Sequence, residues 1–201
     1  MIYFIEDVIY FMDNTIEDYF KSYQKQVSDA FDSVDLKALD VFVDSIITAV
    51  ELNNKIYVCG NGGSAAIAEH FTCDHLKGVR EGSVDLTPKV ISLASNLPLI
   101  TAIANDISYD KVFSYQLESL ANPYDVLVVI SSSGNSQNIL DAIDAAKEMR
   151  VVVHGIFGFD GGLAKHKVDN YIHIDSNNYG VIEDVSQSIM HIVAQHIAKR
   201  C

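Results

Sequence analysis

Two stretches of the chain have the composition of an anion cradle. One is Gly60-Asn61-Gly62-Gly63-Ser64, which follows the apolar run KIYVC at 55–59 and precedes AAIAEHF. The other is Ser131-Ser132-Ser133-Gly134-Asn135-Ser136, which follows DVLVVI at 125–130 and precedes QNILDAIDAAKEM. In both, glycines permit the tight turns that bring backbone amides close to a ligand. Small hydroxyls add donors, and the free N–H groups of the next helix's first turn point at the same spot, reinforced by the helix dipole. Neither loop contains Lys or Arg, so the cradle is made of neutral donors. It lacks the lysine of a P-loop, and no GxGxxG fingerprint follows the first run. Ser64 and Ser136 read equally as ordinary helix caps. The pairing of two such loops, one with four serines in six residues, favours an anionic ligand.

Groups that could move a proton or hold a cation lie elsewhere. His70 and Asp74 are spaced i,i+4, on one face of the helix that opens at Ser64. Glu183 and His191 lie two turns apart on the last helix. Two imidazoles and two carboxylates are compatible with a mixed nitrogen and oxygen site for a divalent metal of the zinc type. Each residue also has a structural reading. His70 reads as a hydrogen-bonded core histidine, Asp74 as a solvated helix charge, and Glu183 as an acid stabilised by its helix's first turn. His191 lies in the apolar stretch IMHIVAQHI, where an imidazole without a partner is costly to bury.

The elements that must position these residues follow from periodicity. Helical spacing predicts a long helix over 3–30 and a second over 36–53. Beyond residue 55 the runs KIYVC (55–59), KVISLA (89–94), DVLVVI (125–130), VVVHGIF (151–157) and NYIHI (170–174) read as buried strands. Helical segments start near Ser64, Ser108, Ser136 and Gly162, and a last helix covers 181–199. Alternation of this kind predicts an α/β, doubly wound, three-layer sandwich with a five-stranded parallel sheet and right-handed crossovers. Residues 55–201 would form its core, and 1–54 a helical extension within the same single domain. The wide apolar coverage of the first helix suits either subunit packing or burial against the second helix. Ligands of such folds sit beyond the carboxyl ends of the strands, where both serine loops fall.

Composition narrows the function classes. The 201 residues carry 14 basic against 27 acidic groups, a formal charge of -13, with no basic face for nucleic acid. An anionic ligand must therefore be attracted by local dipoles against the bulk field. Three cysteines without a CxxC pair suggest no disulfide framework and a reduced, cytoplasmic setting. The apolar start MIYFIEDVIYFM lacks a basic leader and includes Glu6 and Asp7, unlike a signal peptide. No run reaches the roughly 18 apolar residues of a membrane span.

GNGGSAAIAEHF, TAIANDISYDKVF and DVLVVISSSGNSQNILDAI, in that order, resemble the sugar-isomerase (SIS) domain, and specifically the phosphoheptose isomerase group. The resemblance covers the chain from about residue 36 to its end. It implies that the hydroxyls of Ser131, Ser132, Ser133 and Ser136 hold a sugar phosphate. Asn61, Gly62 and Ser64 would contribute from the first loop, and Asn105 and Asp106 from the AND segment, although Asp106 reads equally as a helix cap. It further implies Asp74 as base, His191 as partner acid, and zinc held by His70, Asp74, Glu183 and His191. Glu183 would also contact substrate. Where the group usually has glutamate, glutamine and aspartate, this chain has Asp74, Glu183 and Gly180. The implied reaction converts sedoheptulose 7-phosphate to an aldoheptose 7-phosphate, in a homotetramer with sites at subunit boundaries. Two alternatives are isomerisation of another sugar phosphate and a non-catalytic adaptor of the replication-initiator-associating type, which keeps the serine loops without the acid and histidine set.

Overall fold

The computed structural model describes residues 15–82 and 86–200. Helix α1 (Ile16–Asp32) starts at the capping box of Thr15 and Asp18, in which each side chain accepts from the other's backbone N–H. The earlier part of the helix expected over 3–30 lies outside the described residues. Helix α2 (Leu36–Glu51) is capped by Asp35, whose carboxylate accepts from Lys37 N–H at 2.8 Å. The α/β part then runs β1 (Lys55–Gly60), α3 (Gly63–Cys73), β2 (Lys89–Ser92), α4 (Leu97–Asp106), α5 (Ser114–Leu120), β3 (Val126–Ser131), α6 (Gln137–Glu148), β4 (Val152–Phe157), β5 (Asn170–His173) and α7 (Tyr179–Arg200).

All five strands pair in parallel in the order β2-β1-β3-β4-β5, as the apolar runs predicted. Side chains alternate across the sheet. Ile56, Val58, Val126, Val128 and Ile130 face α2, α3 and α7, while Tyr57, Cys59, Leu127 and Val129 face α4, α5 and α6. Burial on both faces is why β1 and β3 read as unbroken apolar runs. The chain leaves β1 towards the β2 edge and leaves β3 towards the β5 edge. The connections therefore part between β1 and β3 and open a crevice at their carboxyl ends.

Three elements depart from the sequence expectation. Helix α4 was not anticipated, although Asn96 caps it by accepting from Leu99 N–H at 3.2 Å and Pro98 stands in its first turn. The helix expected from Ser108 is a single 3-10 turn, Tyr109–Lys111, followed by α5. The one expected from Gly162 is only the 3-10 turn Ala164–His166, because Gly161 and Gly162 both hold positive φ just before it. Beyond Cys73, α3 passes into a π-helical stretch, Asp74–Val79, before one last α turn, Arg80–Gly82.

Candidate active site

The loops after β1 and β3 enclose a cavity of about 170 Å³ lined by Asn61, Ser64, Ser131, Ser132, Ser133, Ser136, Tyr179 and Glu183. The serine loop is folded by its own hydroxyls: Ser131 Oγ accepts from Gly134 N–H at 3.2 Å, and Ser133 Oγ accepts from Asn135 N–H at 3.3 Å. Each hydroxyl keeps its proton to donate outward. Gly134 sits at φ +61°, and a Cβ there would collide with the carbonyl of Gly161. Ser136 occupies the cap position of α6, yet its hydroxyl makes no capping bond, so it stays available to a ligand beside the N–H groups of the first turn.

Helix α3 presents a different terminus. Gly62 is its cap residue, at φ 55°, and Ser64 is buried in its first turn. A Cβ on Gly63 would collide with the Glu183 carboxylate, which therefore stands against the start of α3. Of the two helix ends, that of α6 is open to an anion and that of α3 faces the protein's own acid. Asn61 is committed to holding the loops together. It donates to Asn138 Oδ1 at 2.8 Å and accepts from Asn138 Nδ2 at 2.9 Å and Tyr109 OH at 3.0 Å.

Glu183 meets Gly63 at the loop end, and His191 meets His70 and Asp74 further along, so α3 and α7 run side by side. Asp74 Oδ2 lies 2.9 Å from His191 Nδ1, and Asp74 Oδ1 lies 3.4 Å from His70 Nε2. The two imidazoles stack edge to face with centroids 4.6 Å apart. Gln187, one turn before His191, puts its amide nitrogen 3.1 Å from the other ring nitrogen. All three side chains remain partly open to solvent, with relative exposures of 48% for His70, 22% for Asp74 and 39% for His191.

Among the described residues, donor atoms of His70, Asp74 and His191 all fall within 4.8 Å of one another. Tetrahedral zinc with bonds of about 2.0–2.1 Å separates its ligands by about 3.4 Å, so the His70–Asp74 spacing already suits such an ion. Glu183, expected as a fourth ligand, is not in this group. It precedes His191 by eight residues of continuous helix, about 12 Å along the axis. Asn105 and Asp106 do not line the serine cavity. They end α4, bonded to each other at 2.7 Å, and the cap of the next turn is Ser108.

Sequence reasoning missed Tyr179, Asn138, Tyr109 and Gln187. Only Gln187 left a local signal, its i,i+4 spacing to His191. At Gly180, the Tyr23 hydroxyl stands 2.9 Å from where a Cβ would be. Its hydrogen bond to Asp184 at 2.7 Å, aided by burial, pushes the phenol up to about 12.

The SIS-domain profile matches residues 18–158. A probable phosphoheptose isomerase of Thermoplasma acidophilum is 36% identical over 180 residues, covering 90% of this chain and 98% of that one. A phosphoheptose isomerase of Helicobacter pylori is 35% identical over 193 residues, covering 94% and 95%. The solved phosphoheptose isomerase of Francisella tularensis superposes with a TM-score of 0.82 at 28% identity, covering 92% of this chain and 97% of that one.

Proposed function

Because the chain belongs to the phosphoheptose isomerase group of the SIS-domain family, we propose that it interconverts sedoheptulose 7-phosphate and D-glycero-D-manno-heptose 7-phosphate, a step towards heptose for surface polysaccharide. It is an enzyme of the isomerase class. The observation that carries the reading is the Asp74–His191 pair, 2.9 Å apart at the far end of two helices whose near end is the serine cradle. The non-catalytic adaptor reading requires no such convergence.

The phosphate dianion is held by Ser131, Ser132, Ser133 and Ser136 together with the first-turn amides of α6. Asn61, Gly62 and Ser64 shape the opposite wall. The sugar chain then lies along α3 and α7, past Glu183. Asp74 takes the proton from C1 of the ketose, and the electron pair moves to form the enediol. His191, oriented by Asp74, passes a proton between the C1 and C2 oxygens, and the carboxylic acid returns its proton to C2. One proton has moved from C1 to C2, and the aldose results. Asn105 and Asp106 carry the same proposal for sugar hydroxyls, to be reached across a subunit boundary.

His70, Asp74 and His191 would hold a zinc ion, which supplies polarisation of the substrate carbonyl when bound. A homotetramer in the cytoplasm completes the proposal, supported by the exposed apolar residues of α1 and by the free thiols of Cys59 and Cys73. No helix among the described residues is long and apolar enough to cross a membrane.

A coupled assay for heptose phosphate tests the reaction. Asp74→Asn should lower kcat by about a hundred- to ten-thousand-fold with KM little changed. Equal turnover by wild type and variant would end this reading.

A further inference from the structure

The His191 ring is gripped at both nitrogens, and only one grip belongs to the residues assigned so far. Nδ1 faces Asp74 Oδ2 at 2.9 Å, while Nε2 faces the Gln187 amide nitrogen at 3.1 Å. Gln187 is one helical turn before His191 on α7 and half-buried, so the contact is built into a single helix. An imidazole that binds a cation through one nitrogen carries its proton on the other, and the partner of that N–H fixes ring orientation and tautomer. Nδ1 is the nitrogen that meets the set, through Asp74 Oδ2.

We propose that Gln187 is a positioning residue for the His70–Asp74–His191 set, holding the outer nitrogen of His191 so that Nδ1 is presented to a divalent cation. This rests on the zinc reading above. An amide suits the task in both states of the site. With no cation bound, its NH₂ donates to Nε2 while Nδ1–H donates to Asp74. With a cation on Nδ1, the amide turns over and its oxygen accepts from Nε2–H at rest, the proton that His191 lends to the substrate oxygens in turnover. A carboxylate at position 187 preserves the second arrangement, and an apolar side chain abolishes both.

The test is zinc affinity, measured by competition against a chelating dye on wild type, Gln187→Leu, Gln187→Ala and Gln187→Glu, each checked for folding by thermal melt. The apolar variants should bind zinc roughly 10- to 100-fold more weakly, and Gln187→Glu should recover to within a few-fold of wild type. Gln187→Ala keeps the helix intact if Gln187→Leu fails to fold. Unchanged zinc affinity in Gln187→Ala overturns the proposal. So does a variant whose only change is a higher KM for the sugar phosphate, because Gln187 would then be reading hydroxyls midway along the site. If wild type takes up no zinc at equimolar concentration, the proposal and the metal reading fall together. The phosphate cradle stands independently, since its variants act on KM.

Discussion

At the scale of single side chains, the two acids of the site are set to different tasks by what they face. Asp74 faces two imidazoles, at 3.4 and 2.9 Å, at the far end of α3. Glu183 faces the start of α3 from inside the serine cavity, where it opposes an incoming dianion with a charge of the same sign. Glu183→Gln should therefore lower KM for the sugar phosphate by roughly three- to tenfold, and inorganic phosphate should inhibit the variant more strongly. Steady-state kinetics at low ionic strength would register this, and a higher KM would instead mean that Glu183 binds substrate hydroxyls. The His70–Asp74 pair was legible in the sequence because i,i+4 spacing needs only a helix. Their meeting with His191 was expected from the family resemblance, since spacing alone does not show that α7 packs beside α3. Glu183 is not among the three donors that converge, standing eight residues and about 12 Å of helix rise from His191.

At the scale of elements, the cradle depends on backbone shape as much as on hydroxyls. Gly134 holds φ +61° with its α-carbon against the loop that carries Gly161, so any side chain there must push the two loops apart. Gly134→Ala should lower thermal stability by about 1–3 kcal/mol and raise KM, with kcat falling less than KM rises. A melt and a saturation curve on the same preparation check both effects. The strands and both serine loops could be read from the chain because doubly buried parallel strands leave continuous apolar runs and the loops leave glycine and serine. Helix α4 escaped because its opening LPLI follows the apolar β2 so closely that only Asn96 and Pro98 mark the boundary. The segment after Gly162 looked helical by composition, but the turns at Gly161 and Gly162 leave room for one 3-10 turn.

At the scale of the whole molecule, the first two described helices carry large apolar side chains that stay outside the core. Ile16 is 83% exposed, Tyr19 and Phe20 are each 60% exposed, and Leu36 is 69% exposed. Exposed apolar surface of this kind supports the tetramer proposed above. Light scattering should give four chains for wild type and a smaller species for Ile16→Asp combined with Phe20→Asp, and a wild-type monomer would remove the assembly. Acid stability is set deeper. His75 and His154 are buried with one ring nitrogen that finds no hydrogen-bond partner among the described residues, and burial lowers both to about 4. In the unfolded chain each titrates near 6.5, so between pH 6.5 and 4 the unfolded state binds more protons. Stability is then full above the upper limit and declines as pH falls through this window, by roughly 3 kcal/mol per histidine at its lower end. Urea midpoints should fall between pH 7 and 4.5, and His75→Leu should flatten the fall. The side-by-side course of α3 and α7 carries a last consequence. Ser64, at the edge of the cradle, and the acid at residue 74 are carried on one helical run, so under the proposed function the molecule would gauge its substrate by length. A phosphorylated sugar with too few carbons can lodge in the cradle while its carbonyl hangs short of Asp74. Discrimination then falls on turnover, and the wrong sugar is held without being changed.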